Sequence, residues 1–287
     1  SNKGAGRQES KRMRQGGALM ALVAILMVAT VVVAGKSSSS SSSNYVPVVL
    51  WHGMGDICCD PLSMGRIKRL IEKQLPGIYV YSVEVGNNVI EDELHGFFGD
   101  VNDQISQIAG KFKNDTNLSR GFNAVGFSQG GQFLRAYVER YNSPSVFNLI
   151  TMGGQHQGVF GLPDCMAPNK TICEEVRRLL DLGAYLPFVQ GISVQAQYWQ
   201  DPWQEEVYRK DNKFLPDINN DGSFNAQYKQ NILSLKNFVM VKFLNDTVVQ
   251  PVESEWFGFY APGQDTEVLT LEETPLYQQD WLGLQVL

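Results

Sequence analysis

The sequence predicts an α/β fold, a mostly parallel sheet flanked by helices, and three observations carry that reading. Short apolar runs alternate along the chain with stretches of helical periodicity. Two of the runs end directly in glycine-rich turns, as buried parallel strands do when they hand over to a loop. The 244 residues from Asn44 to Leu287 suffice for one large domain of this kind as well as for two small ones.

Taken in order, Val46 to Trp51 is a short apolar run that ends in His52-Gly53-Met54-Gly55, a buried strand delivering a glycine-rich loop. Met64, Ile67, Ile71 and Leu75 then recur at helical spacing until Pro76-Gly77 stops them. Ile78 to Val85 reads as a second strand, and Val101, Ile105, Ile108 and Phe112 mark one face of a helix. Phe122 to Phe127 is a third strand, followed by a helix carrying Phe133, Leu134, Tyr137, Val138 and Tyr141. Val146 to Met152 gives a fourth strand. From Gly153 to about Leu235 the pattern loosens into prolines, aromatics and short helical pieces such as Val176, Leu179 and Leu180, an insertion placed over the sheet. Phe238 to Leu244 restores an apolar strand, which runs into Asn245-Asp246.

Residues 1–36 stand apart from this pattern. Lys11, Arg12 and Arg14 precede an uncharged apolar run from Ala18 to Ala34, which is the grammar of a cleaved signal peptide; a membrane anchor is the alternative for a run of this length. The sequence opens on Ser1, so its start is expected upstream or at Met13. Residues 37–44 contain a seven-serine tract and read as a flexible linker, leaving 45–287 as the folded domain with 153–235 as its insertion.

Beyond residue 36 the chain has 18 basic against 29 acidic residues, a formal charge of −11. A nucleic-acid binder needs a basic footprint, so this balance argues against that class. An acidic surface stays soluble and loses charge in an acidic compartment. Four cysteines on an exported chain favour disulfides. Cys165 and Cys173 close a short loop and are expected to bridge; the adjacent Cys58 and Cys59 are read as a strained vicinal disulfide, with two free thiols as the alternative. No second Cys or His pair stands at ligand spacing, so no metal is expected. Sequons at Asn114, Asn117, Asn169 and Asn245 add to the lumenal reading.

The central signal is Gly126-Phe127-Ser128-Gln129-Gly130, a G-x-S-x-G between a predicted strand and a predicted helix. A turn that tight has no room for side chains flanking the serine, and it presents the hydroxyl at a helix N-terminus where backbone donors can hold an oxyanion. The loop after the first strand is where a hydrolase of this topology supplies the other donor, so the Met54 and Gln129 N–H groups are assigned to the oxyanion hole. Asp246 follows the last strand, the place of a triad carboxylate that fixes a histidine tautomer. An Asp at a strand end is also a common turn former.

At these residues the sequence resembles the palmitoyl-protein thioesterase family. The likeness is carried by His52 to Asp56, Cys58-Cys59 with Pro61 to Gly65, Gly126 to Leu134, Gly153 to Pro163, and Phe238 to Pro251 with Ser254 to Tyr260, and it covers about Val46 to Leu284. It implies an α/β-hydrolase fold, with Ser128 as the acyl-accepting nucleophile, Asp246 as the triad acid, and the 153–235 insertion as an apolar groove for a long acyl chain. It also implies a catalytic histidine beyond the acid, in a Gly-Asp-His context. No histidine follows Asp246 here: the three are His52, His95 and His156. Each of them is expected to be structural, and His156, after a predicted strand end beside the elbow, is the first alternative base. The sequence is therefore expected to be a truncated product or a partial gene.

The reading is a thioester hydrolase of the lysosomal lumen, or a secreted one, that acts on S-acylated proteins and long-chain acyl thioesters without a cofactor. A non-catalytic short form that binds acyl chains and a general lipase or esterase are the alternatives.

Overall fold

The apolar runs become strands because β-branched and aromatic side chains, buried on both faces, favour extended backbone. The computed structural model describes residues 45–161 and 170–287. The expected leader and serine linker, together with Cys165 and Asn169, lie outside the described residues. Strands β1 (Val48–Trp51), β2 (Val80–Ser82), β3 (Phe122–Phe127), β4 (Val146–Met152) and β5 (Asn237–Val241) form a parallel sheet in the order β2-β1-β3-β4-β5. In register, Trp51 pairs with Gly126, Gly126 with Thr151, and Thr151 with Met240. Strand order reverses at β1, so the loops leaving the carboxyl ends of β1 and β3 flank the crevice where ligands bind in open α/β sheets.

Alternate residues of each strand serve opposite faces. Val48 and Leu50 pack with Val80, Val125, Ile150 and Met152 under α1 (Met64–Gln74). Helix α2 (Val89–His95) follows β2 and is described with the site. Val49, Trp51 and Ala124 meet α3 (Val101–Asn114), through Ile105, Ile108 and Phe112, and α4 (Gln129–Arg140), through Phe133, Leu134 and Tyr137. Between β4 and β5 come α5 (Lys170–Gly183), α6 (Pro187–Ile192), α7 (Val194–Gln197), α8 (Glu205–Asp211), α9 (Leu215–Ile218) and α10 (Ala226–Leu233). After β5 a 3-10 turn (Val252–Trp256) leads to the antiparallel ribbon β6 (Phe259–Tyr260) and β7 (Val268–Leu269), a second 3-10 turn (Leu271–Glu273) and α11 (Pro275–Gln278). Phe257, Leu276 and Leu282 from this last segment pack on Phe238 and Met240 of β5. Lys229 of α10 donates to the Asp280 carbonyl at 2.7 Å, and Asn220 Nδ2 donates to the Trp281 carbonyl at 2.9 Å. No helix among the described residues is long and apolar enough to cross a membrane.

Two strands are shorter than their apolar runs suggest. Ile78 donates to the Leu75 carbonyl, finishing the turn after α1, so β2 has three residues where eight were expected. The run Phe238 to Leu244 is cut at Val241, because the Phe243 N–H turns away to the Glu255 carboxylate at 2.8 Å.

Candidate active site

The turn from β3 into α4 is forced by missing side chains. A Cβ on Gly130 would lie 2.5 Å from the Trp51 and His52 carbonyl oxygens, and a Cβ on Gly126 would overlap the Gly131 backbone. With those positions collapsed, Ser128 takes φ 51° and ψ −125°, a conformation in which a non-glycine residue is strained. Its N–H is spent on the Met152 carbonyl at 2.8 Å, and the residue stays half-buried. Among the described residues no side chain hydrogen-bonds its hydroxyl.

The loop after β1 closes the other side. A Cβ on Gly53 would sit 3.1 Å from Ser128 Cβ and 3.8 Å from its Oγ, so Met54 follows directly on the residue that touches the serine. Gln129 is the first residue of α4, and first-turn N–H groups have no partner within their own helix. Its side chain is clamped, donating to the Gly96 carbonyl at 3.0 Å and accepting from the Tyr198 hydroxyl at 3.1 Å. Met54 borders an apolar cluster of Phe97, Val176, Leu180 and Val189, with Phe98, Ile172 and Leu179 at its edge.

His52 and an acid that sequence reasoning missed hold this loop in place. His52 Nε2 lies 3.0 Å from Asp92 Oδ1, and Nδ1 lies 2.9 Å from the Gly53 carbonyl. Both partners are acceptors, an arrangement that favours the doubly protonated ring. Burial pulls the imidazole down, but the Asp92 hydrogen bond and charge outweigh it and raise it above its ordinary value. Burial would raise the Asp92 carboxyl; His52 and the N–H groups of Cys58 and Val85 hold it below the usual range instead. Asp92 lies on α2, where Asn88 caps the N-terminus by accepting from the Ile90 and Glu91 N–H groups. Val89, Ile90 and Leu94 face outward on that helix while Asp92 is buried, the reverse of the pattern that hydrophobic periodicity detects.

Asp246 stands beyond β5 in the turn that begins at Phe243. Its Oδ1 accepts from the Val248 and Val249 N–H groups at 2.6 and 3.0 Å, and its carboxylate neighbours that of the buried Glu255. Among the described residues no hydrogen bond or ion pair joins Asp246 to Ser128. His156 is fully buried: Nε2 meets Thr151 Oγ1 at 2.9 Å and the ring stacks on Phe257 with centroids 4.5 Å apart. Burial, with Arg135 nearby, drives its imidazole well below the ordinary value, so it is a neutral core ring. His95 closes the last turn of α2.

Cys58 and Cys59, expected as a vicinal bridge, are free thiols in the structure, Cys58 buried and Cys59 exposed, with Sγ atoms 2.7 Å apart. Adjacent residues reach bridging geometry only with strain. Cys173 is disulfide-bonded. Asn114, Asn117 and Asn245 are exposed.

A strained serine at a strand-to-helix turn, set at the switch point of a parallel sheet and faced by a glycine loop, is the hallmark of a serine hydrolase of the α/β-hydrolase class. The sequence model described as palmitoyl protein thioesterase matches residues 47–287, and the chain belongs to that family. It is 54% identical over 242 residues to palmitoyl-protein thioesterase 1 of Caenorhabditis elegans, covering 84% of this chain and 81% of the relative. It is 38% identical to palmitoyl-protein thioesterase 3 of Dictyostelium discoideum, covering 84% and 79%. It is 29% identical to lysosomal thioesterase PPT2-B of Xenopus laevis, covering 85% and 81%.

Proposed function

We propose that this protein is a palmitoyl-protein thioesterase that releases long-chain acyl groups from cysteine side chains by way of an acyl-serine at Ser128. The observation that carries the reading is the strained Ser128 backbone in a turn where Gly126 and Gly130 leave no room for side chains. Ser128 Oγ attacks the thioester carbonyl, and the oxyanion is received by the Met54 and Gln129 N–H groups. Collapse of the tetrahedral intermediate expels the cysteine sulfur, which takes up a proton, and water then cleaves the acyl-serine. The proton acceptor in this scheme is the family's histidine beyond Asp246, oriented by the Asp246 carboxylate. His52 and His156 are committed to Asp92 and Thr151. The acyl chain runs from Ser128 past Met54 along Phe98, Ile172 and Leu179. A separate cleft of about 760 Å³ between α5, α6 and α8 is lined by Tyr185, Trp199, Lys210 and Lys213 and does not include Ser128.

Exposed sequons and a relative named as lysosomal support a lumenal site of action, and the reading extends to glycosylation at Asn114, Asn117 and Asn245. An acyl fluorophosphonate should label the wild type and not Ser128→Ala. In a chain extended by a family-like Gly-Asp-His segment, turnover of acyl thioesters should rise with chain length, since each buried methylene contributes about 0.8 kcal/mol. Ser128→Ala should remove that turnover by several orders of magnitude. Preference for acetyl or butyryl thioesters would point to a general esterase. Acyl binding that persists with no turnover in the extended chain would point to a non-catalytic binder.

A further inference from the structure

Glu255 has a burial and a neighbourhood that a packing role does not explain. It lies on the 3-10 turn Val252–Trp256, and its side chain is 0% exposed beside the Gly153 turn that leaves β4. Oε2 accepts from the Phe243 N–H at 2.8 Å, at the start of the turn that carries Asp246. Oε1 is buried and meets no donor among the described residues. The side chain that neighbours the Glu255 carboxyl is itself an acceptor, the Asp246 carboxylate. Lys242, the nearby cation, is drawn elsewhere: its Nζ is 3.8 Å from Glu253 Oε1 and lies 4.4 Å from the centroid of the Trp256 ring.

Two carboxyl groups side by side, Glu255 wholly buried and Asp246 half-buried, disfavour each other's ionisation, so that one of them is favoured to carry a proton. The geometry says which. Asp246 Oδ1 already accepts from two backbone N–H groups, so Asp246 is committed as an acceptor. Glu255 has one such bond and an orphaned oxygen. We propose that Glu255 is a neutral carboxylic acid whose Oε1–H donates to the Asp246 carboxylate, making it a positioning residue for the triad acid. Burial pushes the Glu255 carboxyl up to about 8, with the Phe243 N–H and Lys242 pulling the other way and Asp246 adding to the rise. The single proton gives the pair one negative charge, held on the residue that must orient and stabilise an imidazolium. The Phe243 bond fixes one end of the Asp246 turn while the proton fixes the carboxylate itself.

The inference rests on the proposed role of Asp246, so its first test is independent of turnover. In the full chain labelled with carboxyl-13C glutamate, one resonance should titrate with a midpoint near 8, be missing in Glu255→Gln, and move to lower pH in Asp246→Asn. If the resonance lost in Glu255→Gln titrates in the ordinary range near 4.3, or is indifferent to Asp246→Asn, the proposal is overturned. The second test uses an active, histidine-bearing chain. The wild type should lose kcat as pH rises through about 8, where a second charge appears beside Asp246. Glu255→Gln keeps a donor and does not titrate, so it should retain most of kcat with that alkaline fall removed; Glu255→Leu should lose kcat by tenfold or more with KM little changed. A Gln variant as impaired as the Leu variant would overturn the role. Absence of turnover in every variant would count against the functional reading while leaving the carboxyl titration to decide on Glu255.

Discussion

A methyl group at residue 130 has nowhere to go. Its Cβ would stand 2.5 Å from two backbone oxygens, and backbone cannot swing aside as a flexible side chain does. Gly130→Ala is expected to destabilise the fold by at least about 2 to 3 kcal/mol, read as a lowered melting temperature. The control is Gly110, an exposed residue of α3 with nothing within 4 Å of an added Cβ. There alanine should stabilise by roughly 0.5 to 1 kcal/mol through helix propensity. Equal effects at the two positions would remove the steric account of the elbow. Such glycines are legible in sequence because the turn tolerates no substitute, and Ser128 could be read from its neighbours alone. Asp92 and Glu255 could not. Their importance lies in partners 40 and 9 residues away, and no local pattern marks a carboxylate as buried.

Among the elements, α4 carries the site on its first turn and the insertion on its side. Arg135, fully buried, donates through Nη1 to Glu139 Oε1 and the Ile218 carbonyl, both at 2.9 Å, and through Nη2 to the His156 carbonyl and Asn219 Oδ1. One guanidinium thus joins α4, the loop after β4 and the end of α9. Arg135→Met should cost on the order of 3 to 5 kcal/mol, because it strands the Glu139 carboxylate. Arg135→Met with Glu139→Leu should recover part of that loss; if denaturant unfolding shows the double variant no better than the single one, the cost lies in the freed carbonyls and not in the stranded charge. Elements were legible wherever hydrophobic faces built them. β3 and β4 begin and end where their apolar runs do. α2 was not legible, since its apolar residues point outward and its capping Asn88 precedes a buried acid.

Over the whole molecule, the two buried glutamates and His52 lean one way and the buried His156 the other. Burial pushes Glu255 up to about 8 and Glu139 up to about 7, the latter against the pull of Arg135. The folded state therefore holds protons that the unfolded state releases near pH 4.5, and stability falls as pH rises from there toward 8. His52, raised by Asp92 against its burial, acts in the same sense: its contribution is complete below the unfolded value of 6.5 and is lost above its folded value. The lowered His156 opposes below 6.5, where the unfolded ring binds a proton that the folded one does not, but it is one group against the two glutamates; the lowered Asp92 opposes only in stronger acid, below 3.8. Stability should be greater at pH 5 than at pH 8 by on the order of a few kcal/mol, at about 1.4 kcal/mol per unit, read as a higher melting temperature at pH 5. A flat or rising profile would contradict these assignments. The clasp of the last segment over the rest has a consequence in time as well as in space. Asp280 and Trp281 reach back to Lys229 and Asn220, and Leu276 and Leu282 cover β5. None of these contacts can form until the chain has been made through residue 282, so the sheet can assemble first while the Asp246 side of the site is secured afterwards. During synthesis, then, Ser128 sits in its turn before the turn that carries Asp246 has been fixed, and the growing chain passes through a stage at which the proposed nucleophile is built and its proposed acid is not.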